Sequence, residues 1–157
     1  MNKKLGLGLG ALALLVASMA IAAEGVSVEG VNCLLQGSKP ANIEKLAKYK
    51  EGNVYFCCKG CLGKFEKMTD EEKTKLAAKA NSQLVATKQY AQEVCPFTGG
   101  KLNDETAIKV NGAEVKFCCN KCKGKAEKLE GDAQVDEVFG EKAFEKGKFK
   151  LVKQETK

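Results

Sequence analysis

The arrangement of the cysteines constrains this chain more than any other feature of its sequence. Its eight cysteines fall into two sets of four, and in each set a single cysteine is followed, after 23 or 22 intervening residues, by a Cys-Cys-x-x-Cys cluster. The two clusters stand 61 residues apart. A pattern repeated at this distance predicts two related structural units, each held together by its own cysteines. The cysteines are Cys33, Cys57, Cys58 and Cys61 in the first set, and Cys95, Cys118, Cys119 and Cys122 in the second.

The repeat extends beyond the cysteines. Residues 54–67 and 115–128 are identical at nine of fourteen positions, which indicates an internal duplication. We therefore predict two tandem modules, the first over residues 23–88 and the second over residues 89–157. Each has about 60 residues, and a hydrophobic core of that size usually needs a metal ion or disulfide bonds for stability.

The amino terminus is typical of a secretory signal peptide. Two lysines precede an apolar segment over residues 5–21, and Ala20-Ile21-Ala22 places small residues at the two positions that a signal peptidase reads. We predict a signal peptide over residues 1–22, cleavage after Ala22, and a periplasmic or secreted protein. The alternative is an uncleaved membrane anchor, because about 19 apolar residues can just span a bilayer.

Both modules are predicted to contain the same elements in the same order. A turn follows the first cysteine, then come a β-hairpin, a short helix that begins at the double cysteine, a second helix and an extended segment. The predicted fold class is therefore α+β, with two tandem small modules. Asn111-Gly112 is a strong hairpin signal, and Glu51-Gly52 is its weaker counterpart. The predicted strands are 46–50, 53–56, 106–110 and 113–117, the predicted helices are 58–68, 70–81, 119–129 and 134–146, and the extended segments are 83–87 and 149–153.

The spacing within each cluster favours metal binding. Cysteines three and four residues apart lie together at one end of a helix, and a helix N-terminus favours the thiolate form. A structural Zn²⁺ contributes roughly 10–16 kcal/mol to folding, against roughly 2–4 kcal/mol for a disulfide. Two alternatives stay open. One is disulfides within each module, including a vicinal bridge at Cys57-Cys58 or Cys118-Cys119. The other is redox-active thiols, although no thioredoxin-like βαβ pattern surrounds the C-x-x-C motifs.

These residues resemble a known family of metal-binding modules. The spacings C-x23-C-x3-C and C-x22-C-x3-C resemble the TRASH domain, and segments 95–99 (CPFTG) and 115–119 (VKFCC) look like the related YHS domain. The resemblance covers residues 31–68 and 93–129, and it implies treble-clef-like modules built from a knuckle, a β-hairpin and a helix. The metal ligands that it implies are Cys33, Cys57 and Cys61 in one module, and Cys95, Cys118 and Cys122 in the other.

The sequence departs from a four-cysteine treble clef at one position in each module. Gln36 and Thr98 stand where such a fold would carry its second knuckle cysteine. The additional cysteines of the double pairs, Cys58 and Cys119, are therefore the natural fourth donors. On this basis all eight cysteines are candidate metal ligands.

The composition excludes several classes of function. The chain has no histidine and no arginine, so it lacks an imidazole base or ligand and a guanidinium that reads phosphate or guanine. Its lysines are spread along the chain, and the net charge of +6 therefore indicates a solvated surface rather than a nucleic-acid partner. No nucleophile–base pair or phosphate loop stands out, and we predict that the chain is not an enzyme.

We therefore predict an exported protein that binds or carries a soft metal ion. Thiolates without imidazole select Zn²⁺, Cu⁺ or toxic ions such as Cd²⁺ and Hg²⁺, and two sites would hold about two ions per chain. Metal ions are the predicted partners, a protein partner in the envelope is left open, and the signal peptide makes only a transient membrane contact. One alternative is a structural or interaction protein of the cell envelope, in which zinc ions or disulfides only hold the fold. Another is an accessory module of a larger envelope complex.

Overall fold

The chain folds into a mixture of short helices and small sheets. The structure, a computed structural model, describes residues 26–152, so the predicted signal peptide lies outside the described residues. Residues 26–152 form six helices and three two-stranded antiparallel sheets, in agreement with the predicted α+β class. The strands are β1 (Asn42–Tyr49), β2 (Gly52–Phe56), β3 (Tyr90–Ala91), β4 (Asn103–Val110), β5 (Ala113–Phe117) and β6 (Lys150–Leu151), and the helices are α1 (Lys59–Glu66), α2 (Asp70–Lys75), α3 (Ala77–Ala86), α4 (Asn120–Glu127), α5 (Gly131–Phe139) and α6 (Glu141–Lys146).

Both predicted hairpins form. Strand β4 pairs with β5 around the predicted Asn111-Gly112 turn, where both residues take positive φ angles of 49° and 82°. Strand β1 pairs with β2, but its turn is Lys50-Glu51, one residue earlier than predicted. Lys50 adopts the left-handed conformation with φ 51°, so the turn does not need the glycine.

Gly52 serves packing instead of the turn. It is the first residue of β2, and a Cβ atom at this position would lie 2.7 Å from Leu84 Cδ2 and 2.9 Å from Gln89 Oε1. Because Gly52 has no side chain, strand β2 can pack closely against Leu84 and Gln89. This close approach is a tertiary constraint, which is why local turn signals misplaced the turn.

The helices after the double cysteines begin and end inside the predicted limits. Helix α1 covers Lys59–Glu66, against the predicted 58–68, and α4 covers Asn120–Glu127, against 119–129. Cys58 and Cys119 are the N-cap residues and keep an extended backbone, with φ near −155° and −162°. The second predicted helix of each module is divided in two. It breaks at Leu76 between α2 and α3, and at Gly140 between α5 and α6.

The prediction of an extended segment at residues 83–87 is wrong. These residues form the last part of α3 and its C-cap, where the Thr87 N–H donates to the Gln83 carbonyl at 2.9 Å. The alanine-rich stretch before them favours a helix, and burial of Leu84, which is 0% exposed, extends it. The strand of this region is β3, which pairs with β6 inside the predicted 149–153 segment.

Helix α3 lies at the centre of the molecule. It packs against β2 of the first module and also against β5, α5 and α6 of the second. Its Ala80 belongs to a hydrophobic cluster with Phe56 and Phe65, whereas its Leu84 belongs to a larger cluster around Phe117 and Phe139. The predicted boundary at residues 88 and 89 stays a prediction. No helix among residues 26–152 is long and apolar enough to cross a bilayer.

A glutamine side chain pairs with the second strand of each hairpin, β2 or β5. The Tyr55 N–H donates to Gln83 Oε1 at 2.8 Å, and Gln83 Nε2 donates back to the Tyr55 carbonyl at 3.1 Å. Gln92 pairs in the same way with the N–H and the carbonyl of Lys116, at 2.7 and 2.9 Å. These amides satisfy edge groups that a third strand would otherwise bind, and they hold each strand just before its double cysteine.

Candidate metal centre

The fold assembles two clusters of three thiols. The sulfur atoms of Cys33, Cys57 and Cys61, here called the first triad, all lie within 4.8 Å of one another. The same is true of the second triad, Cys95, Cys118 and Cys122. These are the residues that the family resemblance implied as ligands, and each cluster can hold a metal ion.

Each triad collects one thiol from each of three elements. The first cysteine lies in a tight turn, where the Cys33 N–H donates to the Lys39 carbonyl at 2.8 Å and the Cys95 N–H donates to the Gly100 carbonyl at 2.9 Å. The second cysteine follows the last residue of β2 or β5. The third lies in the first turn of α1 or α4. Strand end, turn and helix start therefore converge on one point in each module.

The sulfur spacing fits a thiolate-bound ion. Cys57 Sγ lies 3.7 Å from Cys61 Sγ, and Cys118 Sγ lies 3.7 Å from Cys122 Sγ. A tetrahedral Zn²⁺ site with Zn–S bonds of about 2.3 Å places its sulfurs about 3.8 Å apart. All eight cysteines are free thiols in the structure. The triads thus already have the spacing of a coordination site.

The triads are largely shielded from water. In the first triad Cys33 is 2% and Cys61 is 4% exposed, and in the second Cys95 is 0% and Cys122 is 8% exposed. The middle thiol, Cys57 or Cys118, is half-buried in both cases. Access to each cluster is therefore from the side of its middle cysteine.

Burial and hydrogen bonds set different pKa values within one triad. Burial, together with the neighbouring Cys118 thiol, raises the pKa of Cys122 to about 12. Burial also acts to raise the pKa of Cys95, but the Thr98 hydroxyl and the Cys118 backbone N–H outweigh it and lower the pKa to about 7. Each first-triad counterpart shifts in the same direction, since the pKa of Cys61 rises to about 12 and that of Cys33 is lowered. One thiol of each triad thus has a lowered pKa and another a raised pKa, and the binding of a cation would release the proton of the second.

Cys58 and Cys119 lie outside the triads. Both are exposed, and both occupy the N-cap position of the helix that carries the third ligand. The backbone N–H of Cys61 and then the Cys61 thiol lower the pKa of Cys58 to about 7. Cys119 Sγ lies 3.7 Å from Cys118 Sγ. The role of these two cysteines as fourth ligands stays a prediction.

One hydroxyl distinguishes the second triad from the first. Thr98 Oγ1 lies 3.2 Å from Cys118 Sγ and also accepts the Gly100 N–H at 3.2 Å. The first module has Gln36 at the corresponding position, with no hydroxyl to offer. Sequence reasoning noted Thr98 only as a missing cysteine, although a threonine two or three residues from a ligand is itself a signal of a hydrogen bond to thiolate.

Two further supports of the sites were missed from the sequence. Gln83 Nε2 donates to the carbonyl of Asn32, next to Cys33, at 2.6 Å, in addition to its bonds with Tyr55. In the second module the Phe117 N–H donates to Thr106 Oγ1 at 2.8 Å, immediately before Cys118. Both side chains come from positions distant in sequence, so no local pattern identifies them.

No family model, no curated protein and no solved structure significantly matches this chain. The two thiol triads are compatible with binding about two metal ions per chain.

Proposed function

We propose that this chain binds and carries soft metal ions through its two cysteine triads. The observation that carries the proposal is the repeated placement of three sulfur atoms within 4.8 Å of one another, once in each module. Three thiols that converge from a turn, a strand end and a helix start form a donor set that soft cations prefer. The absence of histidine from the sequence leaves thiolate as the only soft donor besides methionine.

The candidate cargo is Zn²⁺, Cu⁺ or a toxic thiophilic ion such as Cd²⁺ or Hg²⁺. Cu⁺ accepts three thiolates, whereas Zn²⁺ in closed sites prefers four donors. Three thiolates give a Zn²⁺ site a net charge of −1, and a fourth would make it −2. The half-buried middle thiol leaves one side of each cluster open to a further ligand.

The modules are proposed to be of the TRASH/YHS type, with a treble-clef-like core. Three features support this: the order turn, β-hairpin and helix in each module, the cysteine at the start of that order, and the cysteines at the hairpin–helix junction. The chain is further proposed to act without catalysis, with the ion as cargo.

The proposal places the protein in the periplasm or outside the cell, and its support is the amino-terminal sequence alone. Expression in a bacterium with a functional secretion pathway should yield a mature chain that lacks residues 1–22. Intact-mass measurement of the soluble envelope fraction checks this. Recovery of the full-length chain from the membrane fraction would contradict it.

Metal analysis tests the central proposal. Protein purified without oxygen from the compartment where it resides should carry about two ions per chain by elemental analysis, with its thiols free after the metal is removed. The double variant Cys33→Ser and Cys61→Ser should lose about one ion, whereas Ser27→Ala, at an exposed site outside both triads, should lose none. Metal-free protein with all its thiols locked in disulfides would refute the proposal.

The structure also offers a specific reason for a purely structural role. Cys33 and Cys61 belong to one hydrophobic cluster, and Cys95 and Cys122 belong to the other, so a bound ion would cross-link each core. The carrying role and the structural role differ in how readily the bound ion exchanges. A carried ion transfers to a competing chelator while the protein stays folded, whereas a structural ion is retained until the protein unfolds.

A further inference from the structure

The exposed cysteines at the two helix N-caps call for a function of their own. Free cysteine is among the most buried residue types in proteins, yet Cys58 and Cys119 are exposed. Both have almost the same extended backbone, with φ and ψ of −155° and 166° at Cys58 and −162° and 166° at Cys119. The arrangement is therefore built twice, once beside each triad.

Helix capping does not explain these cysteines. The N-cap position favours serine, threonine, aspartate and asparagine, because their side-chain oxygen accepts a backbone N–H of the first turn. The first-turn N–H groups act on these sulfurs electrostatically, but neither Cys58 nor Cys119 makes a side-chain capping hydrogen bond. A serine would cap each helix better, so the thiol serves another purpose.

The position of Cys119 suggests that purpose. Its sulfur lies 3.7 Å from Cys118 Sγ, and Cys118 Sγ lies 3.7 Å from Cys122 Sγ. Exposure falls along this series, from exposed Cys119 through half-buried Cys118 to Cys122 at 8% and Cys95 at 0%. The thiols thus form a continuous path from solvent to the buried triad, and Cys118 lies between the exposed Cys119 and the buried Cys122.

We propose that Cys119, and Cys58 in the first module, are exchange thiols that take a soft ion from a donor and pass it to the adjacent triad. This inference rests on the proposed metal-carrying function and adds a route of transfer to it. The donor is a molecule that holds the ion through its own exchangeable ligands. Cys118 and Cys57 are the thiols shared by the outer and the buried positions.

The transfer is a ligand exchange without redox change. The Cys119 thiolate forms a bond to the ion as one donor ligand leaves, and Cys118 then replaces a second donor ligand. Cys122 replaces the third and last donor ligand, and Cys95 forms its bond as the bond to Cys119 breaks. The protons released by the protein thiols pass to the departing donor ligands or to water, and the charge of the ion stays the same throughout.

A thiol that binds only during transfer affects rate and affinity differently. Because it stabilises the exchange intermediate and not the final complex, its loss slows uptake and release equally and leaves their ratio unchanged. We expect Cys119→Ser to slow transfer to the second triad by about tenfold or more and to change its dissociation constant by less than about threefold. Serine is favoured at the N-cap position, so the substitution does not destabilise the helix.

The test uses the full reduced chain and Zn²⁺ preloaded on the chromophoric chelator 4-(2-pyridylazo)resorcinol. Loss of the chelate colour in a stopped-flow instrument reports the rate, and the end point reports the affinity. Cys119→Ser should slow the kinetic phase in which the second triad takes up half of the Zn²⁺. Cys58→Ser should slow the phase that belongs to the first triad, and the double variant should slow both phases. Asn120→Ser, an exposed neighbour without a thiol, is the matched control and should transfer at the wild-type rate.

Each other outcome has a definite meaning. Wild-type rates in both cysteine variants would overturn the exchange role. A fall in affinity that matches the fall in rate would also overturn it, because Cys58 and Cys119 would then be permanent ligands, and the proposed function would stand. A wild-type chain that removes no Zn²⁺ from the chelator, and likewise no Cu⁺ from a Cu⁺-selective chelator, would refute the proposed function and this inference together.

Discussion

The Gln83 amide offers a sharp test of how the fold builds the first site. Gln83 is 2% exposed, and its side chain bonds the N–H and carbonyl of Tyr55 and the carbonyl of Asn32. Tyr55 lies two residues before Cys57, and Asn32 immediately precedes Cys33. Gln83→Leu keeps a similar side-chain volume and removes all three hydrogen bonds.

The expected magnitude follows from the burial of the partners. Tyr55 is 2% exposed, so water does not replace the lost bonds to its N–H and carbonyl. Each buried unsatisfied group costs about 1–3 kcal/mol, and the buried leucine returns about 1 kcal/mol of hydrophobic stabilisation. The Asn32 carbonyl belongs to an exposed residue and can bind water. We expect the free energy of unfolding to fall by about 1–5 kcal/mol, a large share of the 5–15 kcal/mol typical of a domain.

Gln92→Leu is the matched variant for the second module. Gln92 pairs with Lys116, two residues before Cys118, but Lys116 is only half-buried, so the expected loss is about 1–2 kcal/mol. The two variants should also weaken different sites. Gln83→Leu should loosen ion binding at the first triad, and Gln92→Leu at the second.

Urea unfolding at a fixed excess of Zn²⁺ measures the stabilities, and chelator competition measures the two affinities. A loss below about 0.5 kcal/mol for Gln83→Leu, together with unchanged ion binding at both triads, would refute the reasoning. It would show that the glutamine amides do not hold the strands that present the cysteines.

Further predictions concern protonation and packing. Ion affinity should rise with pH between 6 and 9, because the Cys122 thiol, with a pKa of about 12, and its first-triad counterpart must release protons on binding; affinities that are flat over this range would contradict it. Thr98→Val should raise the pKa of Cys95 above its value of about 7, since the hydroxyl that favours the thiolate is lost, and ultraviolet titration of thiolate absorbance in the metal-free protein should show the later ionisation. Gly52→Ala should destabilise the fold by about 1–3 kcal/mol, because the new Cβ would lie 2.7 Å from a Leu84 methyl carbon. Gly63→Ala is the control, because a Cβ there has nothing within 4 Å, and it should be neutral or stabilise α1 by up to about 1 kcal/mol. Thermal or urea unfolding measures both variants. Equal stabilities in the two glycine variants would show that the close approach at Gly52 is unimportant.

Some parts of the fold follow from local patterns, and the structure agrees with them there. The duplication predicted two copies of turn, hairpin and helix, and both copies form. The Asn111-Gly112 turn lies where its sequence placed it, because both residues tolerate positive φ without help from the rest of the protein. The cysteine spacing brought six thiols into two triads, because each cluster lies at a strand–helix junction that a few residues define.

Tertiary packing decided what these local patterns could not. Residues 83–86 are helical because α3 packs against both hairpins and buries Gln83 and Leu84 there. The turn of the first hairpin lies at Lys50-Glu51, and not at the predicted Glu51-Gly52, because Gly52 is needed in the strand where Leu84 packs against it.

The sequence by itself determined which residues are candidate ligands, because the order and spacing of the cysteines define two sets of thiols. Only the tertiary structure separated the buried triads from the exposed Cys58 and Cys119. Only the folded chain could place Gln83 and Thr98 against the strands and thiols that they support. The physical reason is distance along the chain. Contacts between residues three or four apart follow from helical geometry, whereas burial and hydrogen bonds between distant segments depend on how the whole chain packs.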